Sequence, residues 1–149
     1  MVNANMTIDG QECLFSSSGA WLGYAPAAKS GWQKENNTWY YYQDGNKVTG
    51  WFKDGATWYY FNTDGSMHTG WLQSGNTWYY MNSGGAMCTG WVQVGSTWYY
   101  MNSSGGMCTG WVLVGNTWYY MNASGVMVTG THTINGVTYT FNSSGALIS

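Results

Sequence analysis

Apolar residues in this chain come in short runs with a spacing of two, and the runs recur. Trp91-Val-Gln-Val and Thr97-Trp-Tyr-Tyr-Met consist largely of β-branched and aromatic residues, separated by Gly95-Ser96. Gly in the first central place of a two-residue loop suits a type II′ turn, so the pattern predicts a β-hairpin. Gly55-Ala56, Gly75-Asn76 and Gly115-Asn116 fill the same place in other runs. A helix would need an apolar spacing near 3.6, and the distance between runs is too short for two helices.

The turn sets the register. Val94 opposes Thr97, Gln93 opposes Trp98 and Trp91 opposes Tyr100. Side chains alternate across a strand, and opposed residues share a face. Trp91, Gln93, Trp98 and Tyr100 therefore stand on one side, with Val92, Val94, Tyr99 and Met101 on the other. Both faces are apolar. A lone hairpin is marginal in water, so consecutive hairpins are expected to stack. Val92, Tyr99 and Met101 are the expected inner face, with Tyr59, Tyr79 and Tyr119 as the equivalents of Tyr99. The Trp residues and Tyr100 are left for a groove between neighbours.

The hairpins form a repeat array. Gly-Trp occurs at Trp32, Trp51, Trp71, Trp91 and Trp111, at spacings of 19, 20, 20 and 20. Seven residues after each stands a second Trp: Trp39, Trp58, Trp78, Trp98 and Trp118. Met67, Met87, Met107 and Met127 each precede a Thr-Gly pair by one residue. Residues 7–20 align without gaps onto residues 133–146, and both copies have lost the Trp pair. Divergent terminal copies are what a stacked array needs as caps. The expected organisation is a cap over 1–23, an insertion over 24–30 with the only proline (Pro26), five full repeats over 31–130, and a cap over 131–149.

Composition narrows the function. Of 149 residues, 19% are aromatic and only 7% charged, against about 25% charged in ordinary chains. There is no Arg, the net charge is -2, and the last Lys, Asp or Glu is Asp64. That balance gives no footprint for nucleic acid or an anionic membrane surface. Acid–base catalysis needs placed carboxylates or His, and the second half has no carboxylate to place. No apolar stretch is long enough to span a bilayer. The first residues lack a basic region followed by an apolar run, so no secretory signal is expected in this chain.

The remaining reactive residues point to structure. Cys88 and Cys108 occupy a place filled elsewhere by Val48, His68 and Val128, and are expected to be free thiols. Two Cys so far apart lack the close ligand pairs of zinc motifs, so no metal is expected. Cys13 reads as a small core residue. His68 and His132 have no nucleophile at a recurring offset. Asn82, Asn102, Asn122 and Asn142 read as turn-formers. Lys29, Lys34, Glu35, Asp44, Lys47, Lys53, Asp54 and Asp64 are expected on a solvated rim.

The grooves carry the chemistry that is left. Several π faces without a nearby anion suit a weakly hydrated cation, at about 0.5–2 kcal/mol per face. A Met thioether adds a polarizable contact. Three walls would reach roughly 4 kcal/mol, a millimolar site, so useful affinity requires several sites on one polymer. Planar aromatics also stack on sugars, with Asn and Ser at hand. Packing alone accounts for Trp and Tyr at period two as well. The residues leave these readings open.

The repeat Thr-Gly-Trp-x6-Trp-Tyr-Tyr-x6-Met-x-Thr-Gly-Trp resembles the choline-binding repeats of cell-wall-binding modules from pneumococci, their phages and related Gram-positive bacteria. The likeness covers residues 31–130 closely and the caps loosely. Glucan-binding repeats of glucansucrases and the repeats of clostridial toxins usually carry Tyr-Tyr-Phe without the paired Trp and the Met. The resemblance implies an all-β fold: a β-solenoid of hairpins stacked as a left-handed superhelix, about 20 residues per repeat. It implies a non-catalytic, cofactor-free module at the bacterial cell surface that holds choline or choline-bearing teichoic and lipoteichoic acids. A glycan-binding array and a structural or adhesin scaffold are the alternatives. Dimerisation through a terminal repeat is known in the family, which makes the apolar end Gly145-Ala-Leu-Ile148 the expected self-contact.

Family sites take walls from one repeat, a wall from the next, and a Met. Carried over, they are Trp32, Trp39 and Trp51; then Trp51, Trp58 and Trp71 with Met67. Trp71, Trp78 and Trp91 with Met87 follow, and Trp91, Trp98 and Trp111 with Met107. Tyr60, Tyr80 and Tyr100 are candidates to complete the walls. Lys47 replaces Met in the first full unit and should weaken that site. Trp111 and Trp118, with Met127 after them, lack a partner because Thr131 stands in the next Trp's place. The resemblance thus implies three good sites, a weakened first and an incomplete fifth.

Overall fold

The structure, a computed structural model, describes residues 6–8, 11–15, 18, 20–24 and 29–149. Among these every regular element is a strand. The chain forms two compact units, Met1–Val48 and Thr49–Ser149. In the first, Met6–Ile8, Gln11–Phe15 and Trp21–Tyr24 make one antiparallel sheet. Gly31–Glu35, Thr38–Gln43 and Asn46–Lys47 make another. The insertion's Pro26 and the side chain of Cys13 lie outside the described residues, so their expected roles go without a structural counterpart.

The second unit is five two-stranded hairpins. Gly50–Asp54 pairs with Thr57–Phe61, Gly70–Ser74 with Thr77–Met81, and Gly90–Val94 with Thr97–Met101. Gly110–Val114 pairs with Thr117–Met121, and Gly130–Ile134 with Val137–Phe141. The register is the expected one: Val94 faces Thr97, Gln93 faces Trp98 and Trp91 faces Tyr100. Gly95 turns at φ 64° while Ser96 stays out of the left-handed region, as a II′ turn requires.

No hydrogen-bonded ladder joins one hairpin to the next, because each is its own sheet. Cohesion comes from side chains and a backbone strap. Phe61, Met81, Met101, Met121 and Phe141 are almost fully buried, with Leu72, Val92 and Val112 beside them. Val92 and Met101 take the expected inner place. Tyr99 does not: it is half-buried, and its ring reaches Trp71 of the preceding hairpin at 4.7 Å between centroids. The pleat sets which face Tyr99 is on, but its long ring extends past that face's edge to the neighbouring hairpin.

The strap is the loop after each hairpin. Met81 bridges Met87, which folds the loop back on its own hairpin. The Met87 N–H then donates to the Trp58 carbonyl, one hairpin earlier, at 2.8 Å. Met107, Met127 and Leu147 repeat the bond to Trp78, Trp98 and Trp118 at 2.8–2.9 Å. Asn82 shapes the loop by accepting the Gly84 and Ala86 N–H groups at 2.9 and 3.0 Å. Asn102, Asn122 and Asn142 do the same in their loops. These Asn residues are turn-formers, as their recurrence suggested.

Each loop also closes over a Met of the preceding loop. Gly105 is buried at φ 85°, and a Cβ there would come 2.4 Å from the Met87 sulfur. Gly85, Gly125 and Gly145 cover Met67, Met107 and Met127 in the same way. Gly105→Ala is therefore expected to strain the left-handed backbone by about 1–2 kcal/mol and to push Met87 aside. In calorimetry its melting temperature should fall by roughly 2–8 °C for a chain of this size. The exposed neighbour Ser104→Ala should stay near wild type. Equal melting of G105A and wild type would refute the clamp.

Candidate functional site

The hairpin register builds the site. Trp51 opposes Tyr60 and Lys53 opposes Trp58, so the two Trp lie diagonally on one face. Their rings meet edge-on at 6.3 Å and 85°, forming a corner of two indoles. The same corner recurs at Trp71–Trp78, Trp91–Trp98 and Trp111–Trp118, at 6.1–6.3 Å. In the first unit Trp32 and Trp39 make it at 6.1 Å.

The next hairpin supplies a third aromatic wall. Tyr79 stands 4.8 Å from Trp51 at 69°. Tyr99 meets Trp71 at 4.7 Å, and Tyr119 meets Trp91 at 4.8 Å. The strap then brings in a Met. One groove of about 520 Å³ is lined by Trp51, Trp58, Tyr79 and Met87, with Ser103 and Ser104 at its rim. The second, of about 430 Å³, has Trp71, Trp78, Tyr99 and Met107, with Ala123 and Ser124. The third, of about 390 Å³, has Trp91, Trp98, Tyr119 and Met127, with Ser143 and Ser144. Each groove thus draws on three consecutive units.

The grouping differs from the one carried over by resemblance. Tyr79 and Met87, not Trp71 and Met67, stand with Trp51 and Trp58. Each groove is one unit out of step with the expected Met, because the strap lays Met87 over the earlier hairpin. Met67 lies under Gly85. Trp71 opens its own groove, so each Trp in the second unit lines one groove. Tyr60, Tyr80 and Tyr100 sit edge-on against the first Trp of their own hairpins at 5.1–5.3 Å and do not line these grooves.

The fifth corner changes in the same way. Trp111 finds Tyr139 at 4.8 Å although Thr131 replaces the next Trp. A pocket of about 350 Å³ is lined by Trp111, Trp118 and Leu147. Tyr139 keeps its place against Trp111 but does not line this pocket, which also lacks the Met and the serine rim. The overlooked signal was the cap itself, which drops both Trp (Thr131, Thr138) but keeps Tyr139.

The second Trp of each pair is open to solvent: Trp58, Trp78, Trp98 and Trp118 are 38–43% exposed. No carboxylate lines any of the four grooves. A guest cation there must be held by π faces. In the first unit Lys47 Nζ lies 3.9 Å from the centroid of Tyr40, the counterpart of Tyr59 and Tyr79. Glu35 bonds Lys29 and accepts the Tyr42 hydroxyl. The hydrogen bond from Lys29 holds the Glu35 carboxyl below the usual range.

His68 and His132 brace the backbone. His68 bridges the Asn62 side-chain oxygen and the Trp71 carbonyl at 3.1 and 2.8 Å, and His132 bonds the Thr129 carbonyl at 2.7 Å. Among the described residues, no three His, Cys, Asp or Glu side chains cluster as metal ligands.

Comparison with known proteins agrees with this architecture. Residues 48–89 and 88–131 match the family model described as choline-binding repeat, and residues 30–46 one described as a cell wall binding repeat. Among solved structures, CbpJ from Streptococcus pneumoniae TIGR4 is 37% identical over 93% of this chain and 50% of its own, with TM-score 0.77. Choline binding protein F from Streptococcus pneumoniae is 38% identical over 96% and 50%, with TM-score 0.75. A multimodular pneumococcal cell wall endolysin from phage Cp-1, complexed with choline, is 40% identical over 83% and 39%, with TM-score 0.59. The chain spans half or less of the length of these solved chains. No curated protein matches it significantly.

Cys88 and Cys108 are free and half-buried beside the loops. Their thiols donate weakly to the Ala86 and Gly106 carbonyls at 3.8 and 3.9 Å. Burial raises both thiol pKa values. Less thiolate is then present at a given pH. Iodoacetamide at pH 8 should therefore alkylate both more slowly than free cysteine, with the gap narrowing as pH rises. Mass spectrometry of the time course checks this, and equal rates at pH 8 would contradict it.

Proposed function

This chain belongs to the family of choline-binding repeat proteins, and we propose that it is a non-catalytic cell-wall-binding module. Its grooves hold the choline of teichoic or lipoteichoic acids at a bacterial cell surface. The observation that carries the reading is the threefold recurrence of one groove: two perpendicular Trp, a Tyr from the next hairpin, a Met, and no anion in the lining.

Each part suits a trimethylammonium group. Such a cation is large and weakly hydrated, so leaving water costs it little. Three π faces at about 0.5–2 kcal/mol each and a thioether give a site in the millimolar range. A primary ammonium of the same charge is strongly hydrated, and no carboxylate in the groove repays its desolvation. The affinity of one groove is too low for anchoring. Several grooves on one polymer raise it by about 10²–10⁴-fold without any new contact.

Choline added to the protein should change Trp fluorescence with a midpoint of roughly millimolar order, and ethanolamine should not. Trp78→Ala, at a ring 39% exposed, should remove one groove while leaving the melting temperature within about 2 °C of wild type, as a surface substitution does. Trp71→Ala should cost both binding and stability, since Trp71 also contacts Tyr99. An equal response to choline and ethanolamine would rule the reading out. A response to oligosaccharide but not to choline would favour a glycan instead.

A further inference from the structure

The three grooves share their walls but differ in one cross-strand neighbour. Lys53 directly opposes Trp58. Gln73 opposes Trp78, and Gln93 opposes Trp98. Lys53 Nζ lies 5.7 Å from the Trp58 ring centroid, so the exposed ring of this groove already carries a cation of its own. Asp54 faces Thr57 on the opposite side of the hairpin by strand alternation. Asp64 accepts the Ser66 N–H at 2.9 Å.

We propose that Lys53 makes the Trp51–Trp58 groove selective for choline joined to a phosphate, while the Trp71–Trp78 and Trp91–Trp98 grooves respond to the ammonium alone. The inference rests on the choline reading above and adds the substrate class of one groove. A bare cation entering beside Lys53 meets like charge on the same ring. A choline phosphodiester brings a negative charge a few bonds from its ammonium, which offsets that repulsion and can pair with Lys53. The rim supplies donors as well: Ser103 and Ser104 both stand at this groove, where the second has Ala123 in place of the first serine. The third groove keeps both serines but has Gln93, which separates the effect of the hydroxyls from that of the lysine.

The experiment reads each groove by its own indole N–H. Nitrogen-labelled protein is titrated with choline and with glycerophosphocholine at low salt, following Trp58, Trp78 and Trp98 in proton–nitrogen spectra assigned by single Trp→Phe variants. The ratio of choline to glycerophosphocholine dissociation constants should be about three- to fivefold higher at Trp58 than at Trp98, the size of an exposed charge pair. Added salt should shrink that excess. Lys53→Gln should bring the Trp58 ratio to that of Trp98 by tightening choline and weakening glycerophosphocholine. Equal ratios at Trp58 and Trp98 in the wild type, or an unchanged Trp58 ratio in K53Q, would overturn the proposal. If no indole responds to choline, it is the choline reading itself that fails.

Discussion

The edge-on contact between the first Trp of one hairpin and the first Tyr of the next is the interaction on which the second unit depends. It occurs at Trp51–Tyr79, Trp71–Tyr99, Trp91–Tyr119 and Trp111–Tyr139, each at 4.7–4.8 Å. Two-stranded hairpins are marginal alone, and here no ladder of hydrogen bonds joins them. An aromatic pair contributes about 0.5–1.5 kcal/mol beyond the area it buries. One N–H···O=C strap and a Met held under a glycine complete each junction. The junction and the groove share residues: Trp51 and Tyr79 belong to both. Stacking therefore places two of the groove's walls, the first Trp and the next hairpin's Tyr, and the second Trp completes the corner.

That double duty explains the division of labour between the two Trp. The first is half-buried and engaged from both sides, by the Tyr of its own hairpin and the Tyr of the next. The second meets the first edge-on and leaves 38–43% of its surface to solvent in the second unit. A large aromatic left that open in every repeat is not repaid by packing. It is the part of the groove whose recurrence points to a ligand, and it gives the cation reading more weight than packing alone.

The legible part of the sequence was local. Gly95-Ser96 fixed the turn, the turn fixed which residues oppose each other, and alternation placed Val92 and Met101 in the core. The Asn of each loop was readable because its side chain closes a turn only a few residues away. The groove grouping was not readable in that way. The resemblance groups Met67 with Trp58 and Trp71, between which it lies in sequence. The chain instead carries each loop back over the earlier hairpin, through a hydrogen bond such as Met87 to Trp58 that no periodicity encodes. Tyr99 was misplaced for a related reason. The pleat gives the face of a side chain but not how far a long ring reaches beyond it.

The C-terminal copy shows which parts of a unit face backward and which face forward. Residues that join the preceding hairpin persist there: Tyr139 against Trp111, Gly145 over Met127, and Leu147 in the strap to Trp118. Thr131 and Thr138 stand where a new Trp corner would begin, and their hydroxyls lie toward Thr140 and each other's strand at 3.1–3.4 Å. A repeat is therefore two half-sites back to back, and this copy keeps the backward half alone. The same logic bears on the scarcity of charge. A lysine such as Lys53, beside the forward corner, alters only the groove of its own Trp pair, because the other walls come from later units. Each groove can then be tuned by one cross-strand residue while the backward half, which holds the stack together, stays constant.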